Sequence, residues 1–239
     1  MILRIGTAGW AIPASAASAF PSDGATMERY AARFDAAEIN STFKRTHRAT
    51  TYERWASLTP DGFSFSVKVP KAITHDARLR DCEPRIEAFT HEIAGLGPRL
   101  GPLLLQLPPS LPFDPDTVAR AAEHLTAGGL ALVCEPRHVS WFTPEVDAWL
   151  AERRVARVAA DPTRHPGSGE PGGWRGLTYY RWHGSPRVYY SSYGATALTE
   201  LANRLRRSPS PETWCVFDNT ASGAAAANAL TLQSLSQEP

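Results

Sequence analysis

Short apolar, strand-like runs alternate with helical patterns along the whole sequence, and this alternation constrains the fold more than any other feature. The predicted strands are Leu3–Thr7, Ala37–Phe43, Phe63–Val69, Pro102–Leu107, Ala131–Glu135, Val155–Asp161, Leu177–His183 and Trp214–Asn219. Parallel strands need crossover connections, and helices between them supply these. Eight strands in 239 residues predict an α/β fold of the TIM (β/α)8-barrel type, which usually has about 250 residues.

The segments between the strands carry helix signals, with one exception. Asp114 and Thr143 each precede a proline, a combination suited to the start of a helix. The connection between the sixth and seventh strands, Pro162–Gly176, is rich in proline and glycine and is predicted to be irregular rather than helical. The predicted helices are Met27–Phe34, Arg48–Leu58, Pro84–Leu96, Pro115–Leu125, Pro144–Arg153, Thr196–Arg206 and Ala221–Leu235.

An open, doubly wound sheet satisfies the same alternation, but no GxGxxG motif follows the first strand. This absence weakens the dinucleotide-binding alternative, and no nucleotide cofactor is predicted. No linker or internal repeat divides the chain, so residues 1–239 are predicted to form a single TIM-barrel domain. The sequence shows no signal-peptide pattern and no apolar run approaching the roughly 18 residues that span a bilayer, which predicts a cytoplasmic protein without a membrane partner.

The chain is nearly neutral, with a formal net charge of +1 from 25 basic and 24 acidic residues. Such a balance gives no long-range attraction to polyanions, so nucleic acid is a disfavoured partner and a small-molecule substrate is favoured. A contiguous basic rim bearing Arg45, Arg48, Arg137 and Arg187 would reverse that preference.

Polar residues near the strand ends indicate where a site would form, because the C-terminal ends of barrel strands build the active-site face. Residues two apart in a strand share a face, as Arg181 and His183 do. Lys68 lies within a strand although the chain has only three lysines. The polar residues at these ends are Glu38, Asn40, Lys68, Gln106, Glu135, Arg137, Asp161, Arg181, His183, Asp218 and Asn219, and the aromatic residues near them are Trp10, Phe43, Trp141 and Tyr193.

The same charged residues admit a structural interpretation, in which they neutralise one another inside the barrel, because a buried charge needs a partner. His75 and His138 lie in loops, where a surface role is favoured over catalysis. Trp182 alternates with polar neighbours and is predicted to pack against the helices. The convergence of polar groups from seven strands favours a functional site.

Motifs along essentially the whole chain resemble one known family, the YecE-like proteins, or domain of unknown function 72. They are Ile5-Gly6-Thr7-Ala8-Gly9-Trp10, Glu38-Ile39-Asn40-Ser41-Thr42-Phe43, Phe63-Ser64-Phe65-Ser66-Val67-Lys68, Leu105-Gln106-Leu107-Pro108-Pro109, Glu135-Pro136-Arg137-His138, Tyr180-Arg181-Trp182-His183-Gly184 and Phe217-Asp218-Asn219. The resemblance implies a TIM barrel and supplies no established reaction.

Three positions depart from the family pattern. Lys44 follows Phe43 where tyrosine is usual, Trp182 stands where leucine is usual, and Asp218 stands where asparagine is usual. A metal site that depends on Asp218 would therefore be peculiar to this member.

The favoured hypothesis is an enzyme that acts on a small polar or anionic substrate by general acid/base chemistry at the C-terminal face of the barrel. Glu38, Glu135 and His183 are the predicted catalytic residues, as general bases and partner acid. The arginines would bind a carboxylate or phosphate through their forked donors. The predicted substrate-binding residues are Trp10, Asn40, Lys68, Gln106, Arg137, Arg181, Tyr193 and Asn219.

Two alternatives belong to other classes. The first is a metal-dependent barrel of the phosphodiesterase, endonuclease or isomerase kind, in which a divalent metal would bind the candidate ligands Asp161 and Asp218 with Glu38, Glu135 and His183. No HxxE or HxH cluster supports it. The second is a non-catalytic ligand- or nucleic-acid-binding barrel. The sequence does not indicate an oligomeric state.

Overall fold

Ten strands form one sheet in the computed structural model, which describes residues 1–237. They are β1 (Ile2–Ala8), β2 (Ala36–Ile39), β3 (Ser64–Lys68), β4 (Leu100–Gln106), β5 (Leu132–Glu135), β6 (Val155–Arg157), β7 (Ala159–Asp161), β8 (Gly172–Gly173), β9 (Leu177–Trp182) and β10 (Glu212–Phe217). Their order in the sheet is β7-β9-β10-β1-β2-β3-β4-β5-β6-β8. All neighbours are parallel except β6 and β8.

A divided strand closes this sheet into a barrel. Only Val158 separates β6 from β7, and its N–H donates to Cys134 O at 2.9 Å. β6 pairs with β5, whereas β7 pairs with β9 on the other side. The segment Val155–Asp161 therefore serves as one barrel strand, and the eight predicted strands and the TIM-type fold are confirmed.

Seven helices connect or follow the strands: α1 (Thr26–Ala31), α2 (Ala49–Ser57), α3 (Glu83–Ile93), α4 (Pro115–Thr126), α5 (Pro144–Glu152), α6 (Ala195–Arg206) and α7 (Ala224–Gln237). The side chains of Asp114 and Thr143 accept the backbone N–H groups of Thr117 and Val146, so both predicted caps form. Among the described residues, no helix combines the length and the apolar character needed to cross a bilayer.

The connection Pro162–Gly176 is irregular, as predicted, and contains only the two-residue strand β8. The Arg157 guanidinium donates to Gly167 O at 2.9 Å and to Glu170 O at 3.4 Å. The guanidinium thus supplies hydrogen bonds to backbone carbonyl groups that would be bonded within a helix if this connection were helical.

The second strand ends earlier than predicted. The sequence predicts Ala37–Phe43, but β2 stops at Ile39 and a 3-10 turn follows over Ser41–Phe43. Thr42 Oγ1 causes this turn by donating to Ile39 O at 3.0 Å and to Lys68 O at 2.6 Å. Hydrogen bonds from a side chain to nearby backbone carbonyls compete with the hydrogen bonds between neighbouring strands.

The inward-facing side of the strands changes from apolar to charged towards the C-terminal ends. Alternate residues share a face, so Trp214, Val216 and Asp218 follow one another on the inside of β10 and the loop after it. Trp214 and Val216 belong to a small apolar cluster with Ala36, Leu104, Val133 and Tyr179, separate from the main core between sheet and helices. The outward Trp182 is 7% exposed and packs on Tyr193 and Phe217, as predicted.

Candidate active site

A cavity of about 770 Å³ lies at the C-terminal ends of the barrel strands. Five of the predicted site residues line it: Asn40, Lys68, Gln106, Arg137 and Asp218. The other lining residues are Ser41, Phe43, Lys44, His75, Tyr189, Tyr190, Thr220 and Ala221.

A fully buried arginine lies beneath this cavity and binds three carboxylates. Arg181 Nη2 donates to Glu38 Oε1 at 2.7 Å, and Nε donates to Glu38 Oε2 at 3.0 Å. Its Nη1 donates to Glu135 Oε2 at 3.0 Å, and its Nη2 lies 2.9 Å from Asp218 Oδ2. The sequence predicts a substrate contact for Arg181, but its guanidinium is 0% exposed and committed to the protein.

Glu38 is held from both sides. Tyr179 Oη donates to Glu38 Oε2 at 3.0 Å and lies 3.0 Å from Ser66 Oγ, while Arg181 binds both carboxylate oxygens. Burial and the Glu38 charge raise the pKa of Tyr179 well above its ordinary value, so the phenol stays protonated. The fully buried Glu38 therefore has no face open to the cavity.

His183 bridges two members of this buried cluster. Its Nδ1 lies 3.1 Å from Asp218 Oδ2, and its Nε2 lies 3.3 Å from Glu135 Oε1 outside hydrogen-bonding geometry. Burial opposes a charge on His183, but the Glu135 and Asp218 carboxylates outweigh it and raise the histidine pKa. Burial likewise opposes ionisation of Glu135, yet His183, Arg181 and Arg137 hold its pKa well below the ordinary range. We call Glu38, Glu135, Arg181, His183 and Asp218 the ion cluster.

Arg137 joins the ion cluster to the cavity. Its Nε and Nη2 donate to Glu135 Oε1 at 3.1 and 2.9 Å. Its Nη1 makes no hydrogen bond within residues 1–237, and the side chain is 15% exposed. Arg137 therefore presents unused donors to a ligand.

Lys68 faces the cavity from the end of β3. Its Nζ lies 4.2 Å above the Phe43 ring and makes neither a hydrogen bond nor an ion pair in the part of the chain that the structure describes. Burial, reinforced by the charge of Arg181, lowers the pKa of Lys68 to about 8. The carboxylates nearby are already bonded to the arginines, so Lys68 lacks a direct counter-ion.

His75 reaches the cavity from a π-helical turn, Ala72–Asp76, that sequence reasoning missed. Thr74 Oγ1 lies 3.2 Å from Pro70 O and 2.8 Å from His75 Nδ1. In the tautomer that carries the ring proton on Nδ1, the imidazole donates to this hydroxyl and Nε2 is an acceptor. Burial lowers the pKa of His75, and the charges of Lys68 and Arg137 lower it further. The imidazole is therefore neutral at pH 7.

Two tyrosines that sequence reasoning also missed form part of the cavity rim. Gly184 has φ 96°, a conformation suited to glycine, and turns the chain after β9. Tyr189 then packs perpendicular to the His183 ring, at a centroid distance of 5.9 Å. Arg187 stacks over the neighbouring Tyr190 at 3.9 Å. No strand-end pattern marks these loop residues in the sequence.

Several predicted site residues lie away from the cavity. Trp10 packs edge-on against Trp55, with centroids 4.9 Å apart. Tyr193 Oη donates to Asp161 Oδ1 at 2.6 Å beside a separate cavity of about 340 Å³. The others are Asn219, whose Nδ2 donates to Ser191 O and Asn228 Oδ1, and Trp141, whose indole donates to Leu111 O in the core.

The candidate metal ligands do not form a metal site among the described residues. No group of three or more His, Cys, Asp or Glu side chains within residues 1–237 could hold a metal ion. Asp161 binds Tyr193, and Asp218 binds His183 and lies against Arg181. The Arg181 guanidinium lies where the carboxylates converge, and it supplies the positive charge there.

Comparison with known proteins agrees with the motifs. The family model "Protein of unknown function DUF72" matches residues 4–239. The UPF0759 protein YecE of Escherichia coli K12 is 31% identical over 143 residues, which are 57% of this chain and 52% of YecE. The chain thus spans about half the length of the curated relatives that it matches.

Solved structures of the same family superpose over the whole chain. A DUF72 protein from Thermotoga maritima has a TM-score of 0.81 at 25% identity, with 100% of both chains covered. One from Enterococcus faecalis has a TM-score of 0.82 at 18% identity, covering 100% of this chain and 96% of the other. The resemblance seen in the sequence is confirmed, and the chain belongs to the DUF72 family, whose members are described as proteins of unknown function.

Proposed function

We propose that this protein is an enzyme that binds a small anionic compound in the cavity above the ion cluster and transfers a proton on it by general acid/base chemistry. One observation carries the proposal: Lys68 and Arg137 line the same cavity, and both have donors that no residue of the described range 1–237 uses. Buried or half-buried cations usually find partners in the fold, so unused donors point to a ligand.

Arg137 is suited to hold the anionic group. Its contact with Glu135 fixes the guanidinium plane, while Nη1 remains available. A prepositioned fork binds carboxylate or phosphate with charge-assisted hydrogen bonds. Asn40 and Gln106 add neutral donors and acceptors to the cavity wall.

Lys68 and His75 are suited to move the proton. A group with a pKa near the working pH transfers protons most effectively, and that of Lys68 is about 8. His75 supplies a neutral ring, whose Nε2 is an acceptor in the tautomer protonated at Nδ1. One side chain can therefore give a proton while the other accepts one.

The residues that the sequence predicts as catalytic take a supporting role in this proposal. Glu38, Glu135 and His183 are bonded within the ion cluster, and Glu135 has too low a pKa to be an effective base. The Glu135 carboxylate holds Arg137 in place, and the charges of all three residues contribute to the electrostatic field below the cavity. They are therefore positioning residues.

The test is hydrogen–deuterium exchange at carbon. A panel of small hydroxy acids, oxo acids and sugar phosphates is incubated in D2O with the protein and followed by proton NMR, and binding is measured by titration. We expect Lys68→Gln to abolish exchange. Arg137→Gln should weaken binding of the exchanging compound about tenfold to a hundredfold, because it removes one charge-assisted contact.

Arg80→Gln is the matched control, because Arg80 is 69% exposed and absent from the cavity wall. It should change neither binding nor exchange. Exchange that survives Lys68→Gln, or binding that does not depend on Arg137, would reject the proposed roles.

A further inference from the structure

The amine of Lys68 is unusual because the ion cluster deprives it of a counter-ion. Arg181 binds Glu38, Glu135 and Asp218, Arg137 adds two bonds to Glu135, and His183 contacts Asp218. Three carboxylates are thus saturated by neighbours other than the lysine. Lys68 is only 6% exposed, yet within residues 1–237 its Nζ makes no hydrogen bond and no ion pair, and it lies 4.2 Å from the centre of the Phe43 ring.

We propose that Lys68 is a nucleophile and forms an imine with a small carbonyl compound that bears a carboxylate or phosphate. This inference rests on the proposed function, because it uses the same cavity and the same anion contact with Arg137. It adds a covalent role for Lys68 and names the substrate class.

The chemistry requires only the cavity, the substrate and solvent protons. The neutral Lys68 amine attacks the carbonyl carbon, a C–N bond forms as the C=O π bond opens, the nitrogen gives one proton to His75, and the oxygen takes up one proton from water to give a neutral carbinolamine. His75 then returns its proton to that oxygen, the C–O bond breaks, water leaves, and the nitrogen lone pair forms the C=N bond of the protonated imine, so the net reaction takes up one proton from solvent. Water reverses the sequence and releases the carbonyl compound.

The surroundings of Lys68 fit each of these steps. Burial leaves about a tenth of the amine uncharged at pH 7, since its pKa is about 8, whereas an ordinary lysine has less than about a thousandth in that form. His75 Nε2 can accept the proton that the nitrogen loses and return it to the departing oxygen. The protonated imine keeps the positive charge over the Phe43 ring, where the ammonium lies at 4.2 Å.

The chain contains its own controls, because it has only three lysines. Lys44 lines the same cavity but is exposed, and Lys71 is exposed and lies 3.2 Å from Asp76. Neither has the burial that makes the Lys68 amine reactive.

The experiment is reductive trapping of the whole protein at pH 7. Glyoxylate or pyruvate is added with borohydride, which reduces an imine to a stable secondary amine, and adducts are located by peptide mass spectrometry. We expect at least about tenfold more adduct on Lys68 than on Lys44 or Lys71, because the lowered pKa enlarges the free-amine fraction more than it weakens nucleophilicity. Lys68→Arg should remove that adduct and leave labelling at Lys44 and Lys71 unchanged.

Peptide mapping of the unaltered protein keeps the test independent of whether Lys68→Arg folds. Equal labelling of the three lysines, or no adduct at Lys68, overturns the imine. If the oxo acid still binds in an Arg137-dependent manner in that case, only the imine is rejected and the proposed function stands. If Arg137 dependence is also absent, both are rejected.

Discussion

The ion cluster and the cavity above it use cations from the same inward face of one barrel, but they treat those cations differently. In the ion cluster, Arg181 is fully buried and contacts three carboxylates. In the cavity, Lys68 is nearly as buried and forms no ion pair with any carboxylate among residues 1–237. Both side chains are buried cations, and they differ in whether carboxylates contact them. The presence of carboxylate partners therefore distinguishes the structural cation Arg181 from the candidate reactive cation Lys68.

The two side-chain types fit these two environments. A planar guanidinium has donors in fixed directions and can bind several carboxylates at once, whereas an ammonium is a compact charge that loses its proton readily when buried. Removing an ion from water costs several kcal/mol, and excellent pairing is needed to offset that cost. Arg181 has such pairing. Lys68 does not, and its pKa falls instead.

The comparison is tested most severely by Arg181→Met. The substitution leaves Glu38, Glu135 and Asp218 buried with a single arginine near them, so we expect the free energy of unfolding to fall by about 3–5 kcal/mol. Urea denaturation at pH 7 measures the loss.

Arg80→Met is the control for this experiment, because its ion pair with Asp114 is long, at 3.8 Å, and exposed. It should cost less than about 0.5 kcal/mol. If Arg181→Met lowers the free energy of unfolding by less than about 1 kcal/mol, the ion cluster does not make the expected contribution to the stability of the barrel.

The opposite sign is expected for Lys68→Met. In the folded protein, the pKa of Lys68 is about 8, below its ordinary value of 10.5, so protonation is disfavoured by folding. Replacing the side chain with an apolar one of similar length should stabilise the protein by about 1–3 kcal/mol at pH 7. Urea denaturation across pH 7–10.5 measures this gain.

The pH dependence fixes the cause of that gain. Below about pH 8 both the folded and unfolded states hold the proton, and the full cost is present. Between about pH 8 and 10.5 the unfolded state binds more protons, so the natural protein gains stability relative to the variant and the difference vanishes. Lys71→Met, at an exposed pair, should show no such convergence. A pH-independent difference would reject this explanation.

The fold was predictable from the sequence because its signals are local. Each local pattern predicts the structure of its own segment. Examples are the strand-like runs, the prolines that follow capping residues, and the irregular Pro162–Gly176 segment. The end of β2 was predicted too late, because the bond from Thr42 Oγ1 to Lys68 O joins residues 26 positions apart in sequence and no local pattern reveals it.

The candidate site was predictable in position but not in depth. Alternation along a strand identifies both Arg181 and Lys68 as inward-facing residues. It does not reveal that Arg181 is fully buried beneath the cavity whereas Lys68 lines the cavity. That distinction depends on how neighbouring strands are staggered and on which carboxylates the guanidinium reaches first. Tyr189 was missed and a surface role was favoured for His75, because irregular turns bring both residues to the cavity and no period in the sequence describes such turns.

The smallest expected effect separates two histidines, one in each region. The Glu135 and Asp218 carboxylates raise the pKa of His183, whereas burial and the charges of Lys68 and Arg137 lower that of His75. NMR titration should place the two on opposite sides of the ordinary value of 6.5, with His183→Gln and His75→Gln used to assign the signals. Titration of both on the same side would contradict the division between the ion cluster and the cavity.

The free energy of unfolding should depend on pH in opposite ways through His183 and His75. The contribution of His183 is complete below pH 6.5 and declines as the pH rises through its raised pKa, because the folded state holds its proton longer than the unfolded chain does. His75 acts in reverse: its lowered pKa costs stability in acid, and that cost disappears as the pH rises towards 6.5. Urea denaturation of His183→Gln should therefore converge on the natural protein above neutral pH, while His75→Gln should converge by pH 6.5. The ion cluster favours the protonated form of His183, whereas the surroundings of the cavity favour the neutral form of His75. The two titrations therefore measure the electrostatic difference between the two regions.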